Sequence, residues 1–218
     1  MDIEPIKQKI ESYKAQGLSL FTSSSFQTHS IALLHILSRI DKDIPVYFIN
    51  TGYHFPETLD YRDQVTDLLG LNLKILSSAL SRINQRDENG KLLYASDPDY
   101  CCYINKVAPL EPVLGEYDVW INGVRKTQSD TRKNFAEEEK AKFGVTRYHP
   151  VLNWTDKMVY AYLNEFNLPR HPLEDKGYIS IGCEPCTRKW NFGEDNRNGR
   201  WFGLKKTECG LNTELVTK

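Results

Sequence analysis

Two cysteine pairs stand far apart in this chain, Cys101-Cys102 and the two thiols of Cys183-Glu184-Pro185-Cys186, while a fifth cysteine, Cys209, stands alone. A C-x-x-C puts two thiolates on one turn, where both reach the same metal or cluster. For that pair to serve one centre with Cys101-Cys102, the fold must bring two distant segments together. The partition therefore reads as four metal ligands and one nucleophile. Four thiolates in two close pairs suit tetrahedral zinc or an iron–sulfur cluster. Adjacent cysteines on one small zinc ion strain the backbone, whereas a four-iron cubane offers each thiolate its own iron, which favours the cubane. The bland alternative, four cysteines buried as small hydrophobes, is disfavoured by the C-x-x-C spacing.

The 218 residues, 40% of them hydrophobic, suffice for a full core as one domain. No run approaches the roughly 18 apolar residues of a spanning helix. Met1-Asp2-Ile3-Glu4-Pro5 lacks the basic start and apolar core of a signal peptide. These features predict a cytoplasmic protein with no membrane partner, in which clustered thiols stay reduced and serve metal or catalysis. The net charge of −1 gives no general attraction to nucleic acid, so an anion site must be built locally. Two basic stretches offer one: Gly123 to Arg132, and the segment from Cys183 to Lys206. Either could also be a solvated face.

The pattern alternates strand and helix. Leu18–Thr22, Val46–Asn50, Leu73–Leu76 and Asp118–Ile121 read as strands, and Gln27–Ile40, Pro56–Leu69, Tyr103–Leu114, Lys133–Lys142 and Thr155–Glu165 as helices. Glu137-Glu138-Glu139 then falls on a solvated helix face. Such alternation argues an α/β fold, a mostly parallel sheet with helices on both faces. Ligands bind at the carboxyl ends of such strands, where the Ser23 loop, Asn50-Thr51-Gly52 and Gly123-Val124-Arg125 fall. Residues 1–176 read as a nucleotide-binding α/β unit. From about Gly177 the chain turns irregular, so 177–218 reads as a ligand-bearing segment and tail of the same domain.

Ser23, Ser24, Ser25 and Phe26, between the first strand and its helix, form a candidate phosphate cradle, since hydroxyls and N–H groups at a helix N-terminus match an anion. Plain N-capping is the alternative. Cys209 has Lys205 and Lys206 nearby, surroundings that favour a thiolate. Trp120 and Trp154 read as core. Trp190 and Trp201 either cover a ligand or pack, and none of the five histidines shows ligand spacing.

Taken in order, Ser23-Ser24-Ser25-Phe26, Thr51 to Thr58, Cys101-Cys102 with Ile104-Asn105-Lys106-Val107, Gly123 to Arg132, Gly177 to Arg188, Gly199-Arg200-Trp201 and Glu208-Cys209-Gly210-Leu211 resemble the assimilatory adenylyl-sulfate reductases of the PAPS/APS reductase family. The resemblance spans about Leu18 to Leu211. It implies a Rossmann-like adenine nucleotide α-hydrolase-like fold. It also implies reduction of adenosine 5′-phosphosulfate (APS) to sulfite and AMP, through attack by Cys209 on sulfur, with thioredoxin as reductant. The implied ligands of one 4Fe-4S cluster are Cys101, Cys102, Cys183 and Cys186. The implied substrate contacts are Ser23, Ser24, Ser25, Phe26, Thr51, Gly52, Lys106, Arg125, Gln128, Arg132, Arg197 and Arg200. Where family members carry a histidine after Cys-Gly-Leu, this chain has Asn212. Three alternatives stay open: the 3′-phosphorylated substrate PAPS, an ATP-using adenylating or sulfur-transfer enzyme, and a zinc-stabilised binding module. A homo-oligomer also stays open.

Overall fold

Alternation along the strands sorts the apolar side chains onto two faces of one sheet. The computed structural model describes residues 2–190, 199–201, 203, 206 and 208–215. Its strands are β1 (Leu20–Ser23), β2 (Pro45–Asn50), β3 (Asn72–Ser77), β4 (Val119–Ile121), β5 (Glu138–Lys140) and β6 (Thr146–Tyr148). Its α-helices are α1 (Glu4–Ala15), α2 (Thr28–Ile40), α3 (Pro56–Leu69), α4 (Leu93–Ser96), α5 (Pro98–Cys102), α6 (Ala108–Leu114), α7 (Asp130–Lys133) and α8 (Asp156–Glu165). The strand order is β3-β2-β1-β4-β6-β5. Every pairing is parallel except that of β5 with β6.

Because successive strand residues point to opposite faces, Leu20, Val46, Phe48, Val119 and Ile121 pack with α1, α2, α3 and α8. Phe21, Tyr47, Ile49 and Trp120 pack on the other side with Val107, Leu110 and, from the tail, Leu215. Each large apolar side chain so buried contributes roughly 1.5–3 kcal/mol, and these two layers dominate the stability of the fold. Local signals set the helix ends. Pro56 opens α3 and Gly70, at φ 60°, closes it. Thr155 caps α8 by accepting the Met158 N–H at 3.2 Å.

The sheet changes winding direction between β1 and β4, which opens a crevice at their carboxyl ends. The four strands expected from the sequence are all in this sheet. Their flanking helices α2, α3 and α8 form within about a residue of their expected ends. The expected helix over Lys133–Lys142 is a correction: α7 ends at Lys133, and Glu138 and Glu139 lie on edge strand β5. The reversal at Phe143 and Gly144, both at positive φ (62° and 80°), lets β5 return along β6. Glu138, instead of facing solvent from a helix, pairs with Lys9 and Tyr13 of α1. The helix expected over Tyr103–Leu114 begins earlier, at Pro98, and passes through a π-helical turn over Tyr103–Val107 before α6. The sequence pattern marks no element at α1, α4 or β6.

Candidate active site

A cleft of about 940 Å³ opens where the winding reverses. Its floor carries Ser23, Ser24 and Ser25 after β1 and Asn122 to Arg125 after β4. The serines do not cap α2, whose N-cap Gln27 makes no side-chain cap bond. Instead Ser23 Oγ accepts from Trp120 Nε1 at 2.9 Å, and Ser24 Oγ accepts the Phe26 N–H at 3.1 Å. Three residues expected at the nucleotide lie elsewhere. Phe26 turns into the core at φ 51°, fully buried against Phe48, so only its backbone can serve the loop. Thr51 faces the cysteines, its Oγ1 3.3 Å from Cys183 Sγ, and exposed Gly52 accepts from Arg82 Nη1 at 2.8 Å through its carbonyl; neither lines the cleft.

Cys101, Cys102, Cys183 and Cys186 line one narrow cavity beside the cleft, with Tyr53, Asn105 and Trp201. Sequence explains how each pair arrives. Asp97 caps α5 by accepting the Tyr100 N–H at 2.9 Å, and Asn105 Nδ2 donates to the Cys101 carbonyl at 2.9 Å. The Cys183–Cys186 turn bridges His54, while the Trp201 N–H donates to the Cys186 carbonyl at 3.0 Å. Gly182 gives the Arg200 guanidinium its room, since a Cβ there would displace it.

All four thiols are free. Burial and then the neighbouring thiols push Cys101 up to about 12 and Cys186 up to about 11. A set of four soft sulfurs, two buried and two half-buried, with no carboxylate or imidazole among the described residues that line its cavity, fits a thiolate-ligated iron–sulfur group. A single zinc needs its ligand sulfurs about 2.3 Å from one point. Among the described residues no three Cys, His, Asp or Glu side chains are so placed as to hold one ion.

Lys106, on the π-helical turn, stands between this cavity and the cleft. Burial opposes its charge, yet the thiols of Cys183, Cys209 and Cys102 hold its pKa above the usual lysine range. Arg200 also lines both cavities, its guanidinium carbon 4.5 Å from the Trp201 ring centroid. The other predicted cations are committed elsewhere. Arg125 pairs with Asp156 at 2.7 Å, and Arg132 grips Glu208 through Nε and Nη2, both at 2.9 Å. Gln128 braces them, its Oε1 accepting from the Arg125 N–H and from Arg132. Arg197 lies outside the described residues.

Cys209 enters the cleft from the tail, half-buried, at the start of a short 3-10 turn over Gly210–Asn212. Asn212 is buried and accepts from Arg147 Nη2 at 2.9 Å. The sequence reading misses His54, which lines the cleft with Nε2 3.0 Å from the Ile49 carbonyl oxygen. Burial holds it neutral, its pKa lowered to about 4. It also misses Arg147 and Glu208, since nothing in their spacing sets them apart from surface charges.

The model of the phosphoadenosine phosphosulfate reductase domain matches residues 19–189. The chain belongs to this family. Its members are oxidoreductases acting on sulfur, which makes the cleft an enzyme's. An adenosine 5′-phosphosulfate reductase of Halalkalibacterium halodurans is 39% identical, the match covering 92% of this chain and 87% of that protein. A phosphoadenosine 5′-phosphosulfate reductase of Gloeobacter violaceus is likewise 39% identical, over 97% and 89%. The solved phosphoadenylyl-sulfate reductase of Candida auris, a phosphate complex, superposes with a TM-score of 0.68 at 25% identity, over 82% of this chain and 88% of that one. Candida glabrata FMN adenylyltransferase shares the fold at a TM-score of 0.57 and 15% identity, covering 92% and 66%.

Proposed function

We propose that the protein reduces adenosine 5′-phosphosulfate to sulfite and AMP, with a thioredoxin-type dithiol as reductant, in assimilatory sulfate reduction. The observation that carries this reading is the convergence of Cys209, Lys106, Arg200 and the Ser23–Ser25 loop on one cleft. In the first step the Cys209 thiolate attacks the sulfate sulfur. A sulfur–sulfur bond forms, the sulfur–oxygen bond to phosphate breaks, and AMP leaves with the electron pair. In the second step a thiolate of the reductant attacks the Cys209 sulfur and releases sulfite; its second thiol closes the disulfide, so the dithiol supplies both electrons.

A thiolate meeting an anionic sulfate is opposed by like charge, and Lys106 and Arg200 are placed to offset that opposition. Ser23, Ser24, Ser25 and the residues after β4 would hold the nucleotide. The choice of APS over PAPS is supported by charge. Arg125, bound to Asp156, and Arg132, bound to Glu208, have their charges offset within the protein, which reduces what the cleft offers an additional 3′-phosphate.

Cys101, Cys102, Cys183 and Cys186 would hold a 4Fe-4S cluster; when bound, it would tie two distant segments together and set the electrostatic field around Lys106. Lys106 then keeps its ammonium between that centre and Cys209. A zinc-stabilised binding module would use the same four thiols and leave Cys209, which lines the cleft with Lys106 and Arg200, without a role. An ATP-using adenylating enzyme would share the fold and leave Cys209 without a role.

The decisive experiment is anaerobic incubation with APS, and separately PAPS, without any thiol. Intact-mass and peptide analysis would read an S-sulfonate, alongside assay of released nucleotide. The expected result is an adduct on Cys209, faster with APS, and none in Cys209→Ser. No adduct from either nucleotide, on protein with full iron content, would sink the reading.

A further inference from the structure

Glu208 immediately precedes the nucleophile, and the chemistry above gives it no part. Its charge is misplaced on first inspection, because a carboxylate beside a reacting thiolate and an anionic substrate opposes both. Yet its side chain is only 3% exposed. It accepts from Arg132 through two parallel bonds of 2.9 Å, from Ser129 Oγ at 2.8 Å, from the Cys209 backbone N–H at 2.9 Å and from Asn212 Nδ2 at 3.4 Å. The two-pronged grip by arginine both neutralises the charge and fixes its direction. The remaining bonds reach both ends of the turn that carries Cys209.

The geometry of that turn leaves little freedom. The Asn212 N–H donates back to the Cys209 carbonyl at 2.9 Å, and Arg147 holds the Asn212 side chain from below. On the opposite flank, Gly210 lies so close to its neighbours that a Cβ would stand 2.5 Å from Glu214 Oε1 and 3.0 Å from Val107 Cγ2. Cys209 is thereby pinned between the loop after β4 and the helical segment that carries Cys101, Cys102 and Lys106. Upstream, Lys206 pairs with Asp99 of α5; downstream, Leu215 is fully buried in the second core layer.

We infer that Glu208 is a positioning residue: bound to Arg132 and Ser129, it docks the Cys209 turn in the cleft and sets the balance between a tail held in for attack and a tail released to the reductant. The inference rests on the reductase reading for its purpose, and on the hydrogen bonds alone for its mechanics. The two half-reactions make opposite demands on one thiol. Attack needs Cys209 held against the bound sulfonucleotide, whereas reduction needs the same sulfur within reach of a protein-sized dithiol, and Cys209 is half-buried in the docked state. Losing the clamp therefore slows the first step and spares or speeds the second.

The test begins without substrate. Protein is alkylated anaerobically with iodoacetamide, and peptide mass analysis follows Cys209 together with Cys101 and Cys102 as internal references. In Glu208→Gln and in Arg132→Gln, Cys209 is expected to react about tenfold faster than in the unaltered protein, with the reference cysteines unchanged. Charge alone predicts otherwise: removing the carboxylate would raise thiolate reactivity and removing the guanidinium would lower it. A rise in both variants therefore reports undocking. The double variant should be no faster than either single one, since both cut the same link.

Ser129→Ala should give a smaller rise in the same direction, and it keeps the question answerable if Glu208→Gln fails to fold. With APS, single-turnover nucleotide release should fall about tenfold in Glu208→Gln. Reduction of its S-sulfonate, accumulated by long incubation, should not slow. Unchanged Cys209 alkylation in the single variants, or equal acceleration at every cysteine, would overturn the inference. If the unaltered protein forms no adduct with either nucleotide, the reductase reading fails, while the alkylation rates still decide whether Glu208 docks the turn.

Discussion

The layered half of the molecule and the segment after residue 177 are held by different forces. In the first, Ile10, Ile31, Ile36, Phe48 and Val65 are completely buried, and removing any one leaves many apolar contacts intact. In the second, the residues that matter are held by individual polar contacts and by cysteines: Glu208 by Arg132, Lys206 by Asp99, the Cys183–Cys186 turn by one bridge to His54. Apolar contacts among its described residues are fewer: Tyr178 and Ile181 pack on Phe55 and Leu173, and Leu211 and Leu215 on the second core layer. The difference separates two tasks. A sheet secured by many weak, redundant contacts can hold a nucleotide loop rigidly, while a tail secured by a few strong ones can be released and docked again.

The sharpest way to break this contrast is Cys183→Ser. It should lose iron and most of the soluble yield, because a group joining distant segments contributes folding energy. Iron analysis and size-exclusion chromatography check this, and a fully loaded, soluble variant would contradict the ligand assignment. Ile36→Ala comes next. It lies on α2, away from the cleft lining, and should cost roughly 2–5 kcal/mol in denaturant unfolding. The extent of Cys209 adduct formation per folded molecule should stay unchanged, so a selective loss of that reaction would show that the two halves are less separable than their contacts indicate.

The smallest effect concerns acid. His171 sits where the halves join. Its Nδ1 accepts the Leu173 N–H at 3.2 Å and its Nε2 lies 3.0 Å from Thr58 Oγ1, an arrangement that fits the neutral ring. Burial lowers its pKa to about 4. A depressed pKa means the unfolded chain takes up the proton first. Its contribution is therefore complete above about 6.5, the unperturbed value, and is lost as the pH falls toward 4. Thermal midpoints should decline across that window, with a shallower slope in His171→Gln. An identical slope would remove His171 from the account.

Periodicity made the sheet legible. Val46 to Asn50 and Leu73 to Leu76 are short apolar runs, and Gln27–Ile40 repeats its apolar residues at helical spacing, so β2, β3 and α2 follow from the chain alone. Edge strand β5 does not, since Glu138-Glu139-Lys140 has the composition of a helix surface; only its partner Thr146–Tyr148 and the charges on α1 make it a strand. At the site, the cysteines and the β1 serine loop were readable because residue type and position coincide. Phe26, Thr51 and Arg132 were not. Residue type shows that an arginine can meet an anion, but the anion it meets here is Glu208, a partner 76 residues away that only the tertiary structure identifies.

The distance in sequence between partners also carries a timetable. Ser19 beside β1 bonds Asp118 beside β4 across 99 positions, and Thr51 meets Cys183 across 132. Pairings between remote segments form slowly, since a large loop must close before any contact rewards it. As the ribosome delivers the chain, β1, β2 and β3 emerge well before the strand that completes the crevice, and Cys101-Cys102 before the turn that faces them. Each newly made molecule thus passes through a period in which its sheet is formed and its second thiol pair has yet to arrive. Oxidants meet Cys101 and Cys102 most readily in that interval.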